Sequence, residues 1–190
     1  MEKELECKVF TDDFNGLMDK AIEMGAKMIA HEIQENILIE SNNFDLINSS
    51  DYLRIRISKD IFNNENKKFL TYKKRVNDTN VRHYNEYTIE FDSEENLKQI
   101  LKFVKLDKQS SSKKERKSFE FMDARLDFDC WDKDFYPYPY LEIEVKDEEH
   151  LNEIINKLGI NKDQISTESI SELRSKLQES YQKGSTFNGK

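Results

Sequence analysis

Several segments of this sequence place a charged residue at every second position, with apolar residues between them. Residues 4–8 read Glu-Leu-Glu-Cys-Lys, residues 53–57 read Leu-Arg-Ile-Arg-Ile, and residues 141–145 read Leu-Glu-Ile-Glu-Val. Alternate side chains of a β-strand point to opposite faces, so each segment predicts a strand with one charged and one apolar face. A fold that contains these strands must bury the apolar faces and also provide a suitable environment for the charged faces.

About eight such strands are expected, most of them separated by short turns. Helical spacing of apolar residues predicts helices that begin after Thr11, Ser93 and Asp147 and near Thr167. The polar segment 108–114 is expected to be a mobile loop. We therefore predict an α+β fold, an eight-stranded antiparallel β-barrel with helices packed outside, formed by one domain over residues 1–181 with a frayed tail at 182–190.

The charged faces have two possible environments. They meet water if the sheet is open, which is the common arrangement for one antiparallel strand. If the sheet curls into a barrel, they line an interior, where buried charges must be hydrated, paired or filled by a ligand. A polyphosphate with divalent ions fits such a lining, since Arg and Lys bind phosphate oxygens and carboxylates bind Mg²⁺ or Mn²⁺. The predicted interior contains basic Lys8, Arg54, Arg56, Lys73, Lys114, Arg116 and Arg125, and acidic Glu4, Glu6, Glu86, Glu90, Asp127, Asp129, Glu142 and Glu144.

Composition narrows the possible functions. The formal net charge of -8 disfavours nonspecific binding of nucleic acid. Cys7 and Cys130 form no CxxC pattern, which argues against a zinc site, and Cys7 is expected in the apolar wall. No apolar run approaches the roughly 18 residues of a membrane span, and the charged start is unlike a signal peptide. We expect a cytoplasmic protein without a nucleic-acid or membrane partner.

In order, these segments resemble the motifs of the CYTH superfamily, the triphosphate tunnel metalloenzymes. Residues 4–8 are similar to the family's ExExK signature, residues 53–56 to its LRxR strand, and residues 70–73 to its TxK strand. Residues 114–116 resemble the KxR strand, and residues 141–144 the final EIE strand. The segment 82–90 resembles the central strand and 127–129 the acidic strand.

The resemblance implies site residues. The metal ligands would be Glu4, Glu6, Glu142 and Glu144 with Asp129, and Asp127 is the alternative aspartate. The triphosphate would contact Lys8, Arg54, Arg56, Lys73, Lys114 and Arg116, and Glu86 or Glu90 would be an acidic partner on the middle strand. The residues expected to be most important for catalysis are Glu4, Glu6, Lys8 and Arg56.

Three functions remain open on this basis. The first is Mg²⁺- or Mn²⁺-dependent hydrolysis of an inorganic or organic triphosphate, such as tripolyphosphate, thiamine triphosphate or a nucleoside triphosphate. The second is cyclisation of ATP to cyclic AMP and pyrophosphate, as in class IV adenylate cyclases. The third is binding of a polyphosphate or nucleotide without turnover. The partner in each case is a small-molecule triphosphate, and the protein is expected to be a monomer or a homodimer.

Overall fold

The computed structural model describes residues 2–44, 51–76 and 82–185, without the side chains of residues 2–4, 75–76, 82–84 and 182–185. The strands are β1 Glu2–Val9, β2 Lys27–Glu40, β3 Tyr52–Asp60, β4 Glu65–Val76, β5 Arg82–Glu90, β6 Lys108–Phe121, β7 Ala124–Trp131, β8 Tyr140–Val145 and β9 Ile165–Ser166. The helices are α1 Phe14–Glu23, α2 Glu94–Phe103, α3 Glu148–Leu158 and α4 Ile170–Ser185, and a 3-10 turn spans Lys162–Gln164.

The nine strands of the described residues belong to one antiparallel sheet, in the order β5-β4-β3-β2-β6-β7-β8-β1-β9. Strand β1 pairs with β8 through residues 5–9. It also pairs with β5, from the far end of this order, through residues 2–6, and with β9 through Lys8 and Val9. The α+β class and the antiparallel sheet are thus confirmed, whereas the expected count of eight was one strand too few. The additional strand, β9, has only two residues, which is too short to leave an alternation in the sequence.

The segment 108–114 is a strand and not a loop. Its three serines, Ser110, Ser111 and Ser112, pair with residues 36–38 of β2. Strand β2 has 14 residues, and its antiparallel partner β6 is equally long. Hydrogen bonds to a long neighbour therefore overcame the weak strand propensity of this polar segment.

The helix boundaries follow the caps closely. Asp147 accepts a hydrogen bond from the backbone of His150 at the start of α3, and Gly159 ends that helix with the left-handed φ of 65°. Helix α1 begins two residues later than expected, because Asp13 and not Thr11 caps it. Thr11 instead accepts a hydrogen bond from the backbone N–H of Asp13.

The apolar faces of the strands form the core against the helices. Leu5, Cys7 and Val9 of β1 pack in one cluster with residues of α3, among them Ile154 and Leu158. A smaller cluster joins Ile37, Ile39 and Ile55 to Leu101 of α2. The expectation that Cys7 lies in the wall is confirmed, since it is buried in this core. The charged residues of the same strands consequently point to the other side of the sheet. No helix in the described part of the chain is long and apolar enough to cross a membrane.

Candidate active site

The charged faces of the strands line a cavity of about 1520 Å³. Each of the eight longer strands contributes to it, and so do residues of α4 and of the segment that precedes it. The lining includes Glu6, Lys8, Arg54, Arg56, Lys73, Glu86, Lys114, Arg116, Arg125, Glu142 and Glu144. The alternation of these strands therefore has a simple result, in which one face forms the core and the other forms a charged cavity.

Three glutamates meet where β1 lies beside β8. Glu6 is directly opposite Glu144 in the paired register, and Glu142 is opposite Lys8. One carboxylate oxygen from each of Glu6, Glu142 and Glu144 lies within 4.8 Å of the others. The sequence placed these three residues in one metal site, and the fold brings them together. Glu4 precedes them on β1, but its side chain lies outside the described set.

The surroundings of Glu142 and Glu144 differ. Lys8 Nζ lies 3.0 Å from Glu142 Oε2, and an Arg116 nitrogen donates to Glu142 Oε1 at 2.9 Å. Burial raises the pKa of Glu142, but Lys8, Arg116 and Lys114 together hold it well below its usual value. Burial and the nearby Asp127 and Glu142 carboxylates raise the pKa of Glu144 to about 8. Negative charge is thus poorly compensated at Glu144, and a cation there would compensate it.

Arg116 is the centre of a buried ionic network. Its guanidinium donates two hydrogen bonds to Asp129, each of 2.7 Å, and others to Asp127 and Glu142. Burial opposes the charged form, but the carboxylates of Asp127, Asp129 and Glu142 raise the pKa of Arg116 well above its ordinary value. Asp127 also accepts a hydrogen bond of 2.9 Å from Arg125. This arginine is fixed by three neighbouring carboxylates on two strands, β7 and β8.

Asp127 and Asp129 serve this network and lie outside the cluster of three glutamates. Both side chains are fully buried, and neither lines the cavity. The second oxygen of Asp129 also accepts a hydrogen bond of 2.7 Å from Lys114. Burial and repulsion by Arg116 lower the pKa of Lys114 to about 7 even beside Asp129. The geometry therefore gives both aspartates the task of holding the cations of β6.

Arg54 and Arg56 have a different environment. Among the described residues, no carboxylate lies within salt-bridge distance of either guanidinium. Arg56 donates a hydrogen bond of 3.1 Å to the amide oxygen of Asn36, and the buried Nε of Arg54 has no hydrogen-bond partner in the part of the chain that the structure describes. Burial, with repulsion by Arg54 and Arg116, lowers the pKa of Arg56 to about 10. Both arginines line the cavity with a positive charge that no described carboxylate pairs with at salt-bridge distance.

The middle strands contribute one further ion pair. Lys73 Nζ lies 2.7 Å from Glu86 Oε2, and the hydroxyl of Thr88 donates to the other oxygen of Glu86. Glu90 is exposed and is not part of the cavity lining. Of the two acidic candidates on this strand, the structure thus brings only Glu86 to the cavity.

Sequence reasoning missed several cavity residues. Arg174 of α4 lines the cavity, with its guanidinium carbon 4.7 Å from the centre of the Phe135 ring. Trp131 and Phe135 are also in the lining. The sequence around Arg174 showed only the apolar positions Ile170, Leu173 and Leu177 of an amphipathic helix, which give no sign of where the polar side chains point. The aromatic residues near the prolines were a visible signal, but not one that identified a site.

This arrangement combines the two charge environments that a metal–phosphate complex requires. Three carboxylates can hold a hard divalent cation, and two unneutralised guanidiniums can receive phosphate oxygens.

Comparison with known proteins identifies the family. The family model for the CYTH domain matches residues 2–175. A protein of Methanocaldococcus jannaschii, described as a "putative adenylate cyclase", is 28% identical over 180 residues, which are 90% of this chain and 98% of the relative.

Solved structures show the same fold. A protein of Pyrococcus horikoshii OT3 is similar with a TM-score of 0.74 and 23% identity, over 93% of this chain and 99% of that one. A "putative" adenylyl cyclase from Hippeastrum, for which a dominant triphosphatase activity is described, is similar with a TM-score of 0.59 and 17% identity, over 84% of this chain and 89% of that one. The match of the domain model to nearly the whole length establishes that this chain belongs to the CYTH family.

Proposed function

We propose that this protein is a divalent-metal-dependent hydrolase of inorganic or organic triphosphates, which bind in the charged cavity. The observation that carries the proposal is the presence of Arg54 and Arg56, unneutralised by described carboxylates, in the same cavity as the cluster of three glutamates. A triphosphate with its metal ion supplies the negative charge for the arginines and the positive charge for the glutamates.

We also propose that the sheet closes as a tunnel. The pairing of β1 with β5 joins the second-to-last strand of the sheet order to the first, which supports closure. Closure excludes bulk water from the charged faces, and electrostatic contacts to phosphate are stronger where the local dielectric is low. Slow amide exchange in both β1 and β5 is the expected result, and fast exchange along either strand would argue for an open edge.

The three glutamates fit a divalent cation. Carboxylate oxygens are the ligands preferred by Mg²⁺ and Mn²⁺, and a cation would offset the burial and the neighbouring Asp127 and Glu142 carboxylates that raise the pKa of Glu144. Glu6, Glu142 and Glu144, with Glu4 preceding them on β1, would hold the ion. A bound ion would polarise phosphate oxygens and lower the pKa of a coordinated water.

The remaining residues bind and orient the substrate. Arg54 and Arg56 would donate charge-assisted hydrogen bonds to phosphate oxygens, and Lys8, Lys73 and Lys114 would add positive charge around the chain of phosphates. Arg116 would contribute from its fixed position in the network. Guanidiniums held before the substrate arrives stabilise charge that develops on the transferred phosphoryl group without reorganising. All these residues come from one chain, so the proposal applies equally to a monomer and a homodimer.

The test is incubation of the purified protein with tripolyphosphate and, separately, with ATP, in Mg²⁺ and in Mn²⁺. We expect metal-dependent release of orthophosphate, and none after chelation with EDTA. Arg56→Gln should abolish the release while the variant remains folded. Release that is unaffected by EDTA or by this substitution would contradict the proposal.

Cyclisation of ATP is the second candidate, and the description of the Methanocaldococcus jannaschii relative favours it. The two reactions use the same phosphate contacts but different attacking groups, which are water in one and the ribose hydroxyl in the other. Cyclic AMP and pyrophosphate formed from ATP would therefore identify a cyclase. Tight binding of tripolyphosphate with neither product would instead identify a binding module.

A further inference from the structure

Four side chains form a continuous stack across one wall of the cavity. Lys114 Nζ lies 5.0 Å from the centre of the Trp131 ring, and that ring lies 4.6 Å from the ring of Phe135 at an interplanar angle of 34°. The guanidinium carbon of Arg174 lies 4.7 Å from the centre of the Phe135 ring. The stack therefore connects β6, β7 and the loop before β8 to the last helix, with a cation at each end.

The two cations of the stack differ in whether a described carboxylate is paired with them. Lys114 is paired with Asp129 at 2.7 Å. For Arg174, no salt bridge exists among the described residues, and its buried Nε has no hydrogen-bond partner. An N–H group that is removed from water without a partner is unfavourable, and a positive charge adds to this effect. Arg174 lines the cavity in this state, as Arg54 does.

Phe135 determines where this guanidinium lies. A flat aromatic face attracts a guanidinium and restricts its rotamers. The ring of Phe135 is itself held by stacking on Trp131, whose indole N–H donates a hydrogen bond of 2.9 Å to the hydroxyl of Tyr140. Tyr140 is almost completely buried in β8, so the stack rests on a rigid strand. The aromatic stack is thus a support that orients Arg174 before any ligand is bound.

We propose that Arg174 is a further phosphate-binding residue, contributed by helix α4, and that Phe135 is its positioning residue. The inference deepens the proposed function and rests on it, because the anion that would satisfy Arg174 is the phosphate chain of the substrate. The last helix then supplies part of the binding site, in addition to covering the sheet.

The first experiment measures binding of tripolyphosphate to the metal-free protein by calorimetry in EDTA. This readout does not depend on turnover. Arg174→Gln should weaken binding about tenfold or more, because a charge-assisted hydrogen bond is lost, and Arg174→Lys should retain part of the affinity. Lys157→Gln on helix α3 is the control. This lysine is exposed and is not part of the cavity lining, so its loss should leave affinity unchanged.

The second experiment separates positioning from general packing. Phe135→Leu should weaken binding of tripolyphosphate severalfold, and Phe135→Tyr, which keeps the ring face, should restore wild-type affinity. The dependence of affinity on salt concentration should become less steep in Arg174→Gln, because one ionic contact has been removed. Thermal melting of each variant verifies that it is folded.

Two results would overturn the inference. If the wild type binds tripolyphosphate and Arg174→Gln binds it equally well with the same salt dependence, Arg174 is not a phosphate contact, although the proposed function stands. If the wild type neither binds nor hydrolyses tripolyphosphate, the proposed function fails and the role of Arg174 with it.

Discussion

Arg116 and Arg56 present guanidiniums to the same cavity in opposite surroundings. Arg116 donates hydrogen bonds to three carboxylates, and its pKa lies well above the ordinary value. Arg56 donates one hydrogen bond to a neutral amide, and burial with its arginine neighbours lowers its pKa to about 10. The protein already balances the charge of Arg116, whereas no carboxylate of the described residues lies within salt-bridge distance of Arg56.

This contrast separates two tasks that the sequence pattern cannot distinguish. A guanidinium that is saturated by buried carboxylates stabilises the strands that carry those carboxylates and has limited capacity for a new anion. A guanidinium that lies close to other arginines lowers the stability of the fold. Binding of an anion beside it removes most of that unfavourable interaction. Substitutions at the two positions should therefore have opposite effects on stability.

The largest effect is expected for Arg116→Met. This change leaves Asp127 and Asp129, both fully buried, without their main partner. Breaking a buried ion pair from one side typically lowers stability by about 3–5 kcal/mol. Urea denaturation should show a loss of this order. Adding Asp127→Asn and Asp129→Asn should recover part of it, and Lys117→Met, a half-exposed neighbour on β6, should barely change the transition. A stable Arg116→Met protein would show that the network is not structural.

Arg56→Gln should weaken ligand binding without lowering the stability of the protein. Its stability should equal or exceed that of the wild type, because an unbalanced charge is removed from the cavity. Affinity for tripolyphosphate should fall, because a hydrogen bond to a charged group is worth about 1.5–3 kcal/mol, which corresponds to roughly 10- to 150-fold. Calorimetry and thermal melting test the two parts. Lys59→Gln on the exposed part of the same strand is the control. A destabilised Arg56→Gln protein with unchanged affinity would contradict the distinction.

The same contrast exists between two carboxylates, Glu142 and Glu144. Glu142→Gln should destabilise the metal-free protein, because Lys8 and Arg116 lose a partner. Glu144→Gln should stabilise it, because the poorly compensated carboxylate is replaced by a neutral amide. Both should weaken binding of Mn²⁺, roughly tenfold or more, because a charged ligand is lost. Melting temperatures in EDTA and with added Mn²⁺ measure both effects. If both variants shift the melting temperature in EDTA by the same amount and in the same direction, the two glutamates do not differ in their charge environment.

The sequence predicted most of the strands and many of the charged residues that line the cavity, but not their balance of charge. Alternation placed Arg54 and Arg56 on one face and Ile55 on the other, and the structure confirms this division. It could not show that Asp127 and Asp129 face Arg116, because that depends on the neighbouring strand and its register. Glu6 lies beside Glu144 for the same reason, since β1 pairs with β8, which is far from it in the sequence.

Elements without alternation were the least predictable. The serine-rich half of β6 is a strand because β2 is long, and β9 is a strand because it pairs with β1 beyond the end of β5. Arg174 was missed because helical periodicity identifies the apolar face of α4 and gives no position for its other side chains. Tertiary contacts determine all three features.

The smallest expected effect concerns Lys73, which lies between the two extremes. Its ammonium group is 2.7 Å from the carboxylate of Glu86, and both side chains line the cavity. An incoming phosphate must compete with this carboxylate for Lys73, and the carboxylate also repels the phosphate directly. Glu86→Gln should therefore strengthen binding of tripolyphosphate to the metal-free protein a few-fold, while Lys73→Gln should weaken it. Calorimetry in EDTA measures both changes, and Lys67→Gln on the exposed end of β4 is the control. Weaker binding in Glu86→Gln would show that Glu86 orients Lys73 for the phosphate and does not compete for it.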